Sequence, residues 1–149
     1  MRAVVQRVTS SSVSVSGEVK GAIRNGLTVL LGVETGDGQT DLDYMIEKVS
    51  GLRIFDDENG VMNLSVLDVG GEILSISQFT LLGDVRRGKR PSWIRAERPE
   101  TANEMYMRFN EGLRARGIHV EEGVFQAEMS VNIVNDGPVT ILLDSRKLF

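Results

Sequence analysis

Residues 131–142 read VNIVNDGPVTIL, and the fold turns on how they are read. Two runs rich in β-branched residues flank Asn135-Asp136-Gly137, the punctuation of a tight turn, so the stretch looks like a hairpin. Pro138 then follows, with no N–H to give to a strand ladder and a fixed φ of its own. A plain hairpin has no need of that proline. On composition this is a turn between strands at 128–134 and 139–143. A functional reading requires an added feature, a cis Gly137-Pro138 bond that sets the local geometry.

Working outward, strands are expected at 3–8, 12–15 and 19–23 from β-branched content and partial alternation. Residues 27–33, LTVLLGV, form a nearly continuous apolar run, the pattern of a strand buried on both faces. Further strands are expected at 52–55, 61–66 and 72–81. The first helix follows Thr40, with Asp43 three residues on as a capping box. Leu42, Met45, Ile46 and Val49 share one face, and Gly51 closes the helix. The second starts near Pro99, carries Ala102, Met105, Tyr106, Phe109 and Leu113 as its apolar stripe, and stops at Gly117. Strands adjacent in sequence, with two main helices, predict an α+β fold. A single domain over residues 1–149 is expected, with a mostly antiparallel sheet curling into a barrel-like form.

Composition narrows the chemistry. The 149 residues contain no cysteine, which removes disulfides and thiol nucleophiles. His119 is the only histidine and the acids form no ligand pattern, so no metal and no cofactor are expected. Residues 56–60, DDENG, read as a turn between strands and not as a calcium loop. The N-terminal apolar run breaks within three residues and no window reaches the length of a membrane span. A cytoplasmic protein without a membrane partner is expected.

Three stretches can carry chemistry. Ser77, Gln78, Phe79 and Thr80 lie near a strand end, where polar side chains and backbone N–H groups face a ligand or simply one wet face. Residues 85–98 hold six of the 17 basic residues and one acid in a chain of net charge −4. That is a footprint for phosphates, with Trp93 either stacking a base or tucked into the core. The third is the Asn135–Pro138 turn.

Taken together, SQFTL at 77–81 and NDGPVT at 135–140 resemble the two signature motifs of the D-aminoacyl-tRNA deacylases. The N-terminal MRAVVQRV, LRIF at 52–55 and KRPS at 89–92 resemble the same family, so the likeness spans the chain. The resemblance implies hydrolysis of the ester joining a D-amino acid to the terminal ribose of tRNA, and of glycine mischarged onto tRNA for alanine. It implies a homodimer with each active site at the subunit interface. Ser77, Gln78, Phe79 and Thr80 would form the catalytic strand. The partner's Gly137 and Pro138, with Asn135, Val139 and Thr140, would reject L-amino acids, and Arg7 would hold the Gly-Pro carbonyls. Catalysis would lean on the tRNA 2′-hydroxyl, with backbone N–H groups near Gln78 and Phe79 stabilising the oxyanion. Arg86, Arg87, Lys89 and Arg90 are the candidates for tRNA binding. Two other readings stand beside this one: a non-catalytic RNA-binding module, and an esterase with Thr80 as nucleophile.

Overall fold

The two strands expected at 3–8 and 12–15 are one long strand. In the computed structural model, which describes residues 1–149, β1 runs Arg2–Val15 and buries Ala3, Val5, Val8 and Val13. One edge of β1 serves two strands. Its first half pairs antiparallel with β3 (Gly26–Gly32) and its second half with β2 (Glu18–Ile23).

The chain continues through α1 (Gln39–Gly51), a small hairpin of β4 (Phe55–Asp56) and β5 (Met62–Leu64), and β6 (Glu72–Ser77). A 3-10 turn over Phe79–Leu82 leads by a long loop to α2 (Pro99–Ala115), then β7 (Val120–Glu122) and β8 (Ser130–Asp144). β8 lies antiparallel along the other edge of β1. No helix is long and apolar enough to cross a membrane.

β6 pairs parallel with both β3 and β7. The main sheet is therefore mixed, with three antiparallel pairings and two parallel ones. Parallel neighbours need a crossover, which α1 supplies between β3 and β6 and α2 between β6 and β7. The sheet is nearly closed because β2 returns beside β7. A Cβ built on Gly21 would lie 3.1 Å from the Glu122 carbonyl oxygen, so glycine is what lets the two backbones approach.

The two helices pack over this sheet with the faces their periodicity marks. Leu42, Met45 and Val49 of α1 and Met105, Phe109 and Leu113 of α2 are buried with Leu27, Val29 and Leu31 of β3. Each such side chain contributes about 1.5–3 kcal/mol of burial. The α1 cap falls two residues before the expected one: Gly38 is the N-cap, and its N–H donates to Asp41 Oδ2 at 2.9 Å. Burial pushes Asp41 up, but hydrogen bonds from the Ser145 hydroxyl and from Gly38 hold it below the usual carboxylate range. Residues 56–60 do form a turn, in which Asp57 Oδ1 accepts from the N–H groups of Asn59 and Val61.

Other boundaries shift. Residues 52–54 are not strand, and the expected strand at 72–81 ends at Ser77. Gln78 is its hinge, and Phe79 and Thr80 belong to the 3-10 turn. The opening stretch is no hairpin either, because its two halves run along the same neighbour in one direction as parts of β8.

Candidate active site

The pairing of β8 with β1 explains the Asn-Asp-Gly-Pro stretch. Thr140 stands opposite Gln6 and Asn135 opposite Val8, so Arg7 alone faces the four residues Asp136 to Val139. The extra residues bulge outward, as an interrupted ladder requires. The Gly137-Pro138 bond is cis, Gly137 has a φ of 125°, and both residues are exposed.

Side chains clamp the base of the bulge. Asn135 Oδ1 accepts from the Val139 N–H at 2.9 Å, while Asn135 Nδ2 and Gln6 Nε2 each donate to Thr140 Oγ1 at 3.1 Å. Arg7 is 8% exposed, and its Nη1 donates to the Ile54 carbonyl at 2.8 Å. Its Nε donates to the Asp136 carbonyl at 3.2 Å, and the carboxylates of Asp56 and Asp136 lie 3.5 and 3.4 Å away. Arg7 thus grips the residue before Gly137, where sequence reasoning expected it on the Gly-Pro carbonyls themselves.

Ser77, Gln78, Phe79 and Thr80 come together on one side of a cavity of about 680 Å³. Gln78 Nε2 donates to Thr80 Oγ1 at 3.0 Å. The Gln78 backbone N–H is taken by the Leu31 carbonyl at 2.7 Å, which removes it as an oxyanion donor. The N–H groups of Phe79 and Thr80 open the 3-10 turn and have no acceptor within it. Beneath β6, the Tyr106 hydroxyl donates to the Ser75 carbonyl at 2.8 Å, and burial pushes that phenol up, so it stays a donor.

An adjoining wall comes from the basic loop. Trp93 meets Phe79 edge-on, with ring centroids 5.4 Å apart, and remains 41% exposed, so it faces the cavity and not the core. Ala96, Glu97 and Arg98 continue this wall. It is fixed to the end of β3, since the Thr35 N–H donates to the Arg95 carbonyl at 2.9 Å and the Glu97 N–H to the Val33 carbonyl at 3.0 Å. Arg95 Nε also donates to buried Glu34 at 2.7 Å.

The loop's basic residues divide by partner. Arg86 is tied to Asp84 by hydrogen bonds of 2.6 to 3.1 Å, which hold the Asp84 carboxyl far below the usual range. Arg87, Lys89 and Arg90 are exposed at the tip and have no acidic partner. His119 is remote from this chemistry, its ring 3.0 Å from Glu121.

No residue from Asn135 to Thr140 lines the cavity, so within one chain the two motif groups stay apart. Sequence reasoning missed Glu34, Phe125 and Gln126. The last two line the cavity from the loop between β7 and β8, as an aromatic and an amide in a polar stretch with no periodicity.

The family model described as D-Tyr-tRNA(Tyr) deacylase matches residues 4–144. A D-aminoacyl-tRNA deacylase from Koribacter versatilis is 60% identical over 149 residues, covering all of both chains. One from Desulfitobacterium hafniense shows the same identity and coverage. Among solved structures, one described as c-Myc DNA Unwinding Element Binding Protein is 46% identical with a TM-score of 0.92, covering 97% of this chain and 98% of its own. A probable eukaryotic D-amino acid tRNA deacylase shares the fold at 17% identity, with a TM-score of 0.81 over 95% of this chain and 97% of its own.

Proposed function

The chain belongs to the D-Tyr-tRNA(Tyr) deacylase family, and from that premise we propose that it hydrolyses the ester between a D-amino acid and the terminal ribose of tRNA. Water adds to the ester carbonyl, the bond to the ribose oxygen breaks, and a free amino acid and a tRNA with its hydroxyl restored leave. The cavity at Ser77–Thr80 carries this reading: it offers two unengaged N–H groups to an oxyanion and an aromatic wall to a nucleoside, in a chain 60% identical to named deacylases. D-Tyr-tRNA should be hydrolysed and L-Tyr-tRNA spared in a deacylation assay. Binding of tRNA without turnover would support the RNA-binding module instead.

The active unit is a homodimer in which the bulge of one protomer enters the cavity of the other. Supporting this, a well-clamped main-chain bulge is exposed and lies away from the cavity of its own chain. Backbone oxygens set against the substrate's Cα would clash with an L side chain and leave room for its mirror image. Glycine has no side chain to reject, so glycine mischarged onto tRNA for alanine should also be cleaved.

Arg7 tests the clamp. Arg7→Ala is expected to raise hydrolysis of L-Tyr-tRNA about tenfold, since a relaxed bulge filters less well, at a stability cost of about 1.5–3 kcal/mol for the lost charged hydrogen bonds. Parallel D- and L-substrate assays with a melting curve check both. Unchanged rejection of the L-substrate would count against the clamp.

The tip of the basic loop holds tRNA phosphates. Replacing Arg87, Lys89 and Arg90 together by alanine should weaken tRNA binding, leave kcat alone, and flatten the salt dependence by about one unit of log–log slope per residue. Filter binding across a salt series measures this. An unaltered slope would place the tRNA elsewhere.

A further inference from the structure

The loop between β7 and β8 contains a residue in an unfavourable backbone region. The Ala127 N–H donates to the Val124 carbonyl at 3.1 Å, closing a turn whose third position is Gln126 with a φ of 63°. A turn with positive φ only at that position is type II, which favours glycine or asparagine there. Glutamine has neither glycine's freedom nor asparagine's short side chain to ease the conformation. Of the three non-glycine residues at positive φ, Ser16, Gln126 and Lys147, Gln126 is the one that lines the cavity, and such strained residues cluster at functional sites.

Gln126 lines the cavity, beside Phe125 and together with Phe79 and Trp93 of the aromatic wall. Unlike Gln78, whose amide is bonded to Thr80, Gln126 makes no hydrogen bond within the chain and is exposed. Its carboxamide places an acceptor beside a donor. Adenine presents the complement, an N6 amino donor next to a ring-nitrogen acceptor, and glutamine reads that pair in a bidentate manner. The aromatic wall supplies a face for the ring, a form of base binding that by itself tolerates any base.

We propose that Gln126 is a specificity-determining residue that reads the terminal adenine of the substrate while the base packs against the aromatic wall. This rests on the deacylase reading, because tRNA ends in adenosine. Inosine offers a carbonyl oxygen where adenosine has the amino group, so the acceptor of Gln126 would face another acceptor.

Titration of the intact protein with AMP and with IMP tests the assignment. The parent should bind AMP about tenfold or more tightly than IMP. Gln126→Gly should erase that preference and raise KM for D-Tyr-tRNA, with a Tm held or raised by up to about 4 °C as the turn relaxes. Gln126→Asn, which tolerates the same φ and keeps a carboxamide, should recover part of the preference. A merely structural role predicts the reverse pattern, with preference intact and Tm lowered in Gln126→Gly, and that result would overturn the assignment. If the parent hydrolyses D-Tyr-tRNA yet does not distinguish AMP from IMP, the base-reading role fails and the deacylase reading stands. Absence of hydrolysis in the parent would remove the deacylase reading and this one with it.

Discussion

Gly137→Ala is expected to lower the ratio of D- to L-Tyr-tRNA hydrolysis about 100-fold, the scale on which a displacement of about 1 Å acts in a site. Gly137 sits at a φ of 125°, where an L side chain is strained. The space is also taken, since a Cβ built there would lie 2.8 Å from Val139 Cγ2 and 3.0 Å from Arg7 Nη2. The backbone must therefore move, or Arg7 must release the Asp136 carbonyl, and either shift displaces the oxygens proposed to screen the substrate. The bulge is an outgrowth of β8 and both flanking pairings survive its displacement, so the fold should persist with a loss of about 1–2 kcal/mol. Asn135→Ala is the companion variant. It removes the acceptor for the Val139 N–H while Gly137 stays, and should produce the same loss of selection in weaker form. Time courses with both substrates decide the matter, and a D/L ratio within threefold of the parent in both variants would mean that this main chain does not select handedness.

The bulge also shows where sequence reading stops. Asn-Asp-Gly between β-branched runs has the same local signal whether the chain reverses or only bows out, and the choice belongs to β1, whose Arg7 is 129 residues away from Asp136. The helices were legible because their evidence is local: Leu42, Met45, Ile46 and Val49 repeat on one face of α1, and Pro99 and Gly117 bracket α2. β7 was not, as Val-Glu-Glu is three residues with one apolar side chain and is strand only because β6 offers it a parallel edge. Missing β7 hid one of the two parallel pairings; the other, between β3 and β6, joins two strands that were both legible, but their relative direction is set by the α1 crossover and not by either strand's own residues. In the site, SQFT could be marked because its polar residues interrupt an apolar strand. Its other walls depend on the β3 end meeting the 95–97 segment and on a turn that carries Phe125 and Gln126, contacts that no short window contains.

A D-Tyr-tRNA ending in 2′-deoxyadenosine should be cleaved at least about 100-fold more slowly than the normal substrate, whereas Thr80→Ala should remain within about tenfold of the parent. General acid–base assistance contributes about 10²–10⁴-fold, so whatever group supplies it must show a loss of that size when removed. The protein has no evident candidate. Thr80 Oγ1 accepts a hydrogen bond from the Gln78 amide, and an amide cannot draw off the hydroxyl proton as a base beside a nucleophile would. Glu97, the one acid lining the cavity, spends its carboxylate on the N–H groups of Arg98 at 2.8 Å and Gly36 at 3.4 Å. The only histidine faces Glu121 outside the cavity. Under the proposed mechanism the neighbouring ribose hydroxyl, on the carbon next to the one bearing the ester, would relay a proton from the attacking water, while the N–H groups of Phe79 and Thr80 would meet the developing oxyanion. Single-turnover rates on the two tRNAs and the two proteins separate the routes. Equal rates on the 2′-deoxy substrate, or an acyl group captured on Thr80, would transfer the chemistry from the RNA to the protein.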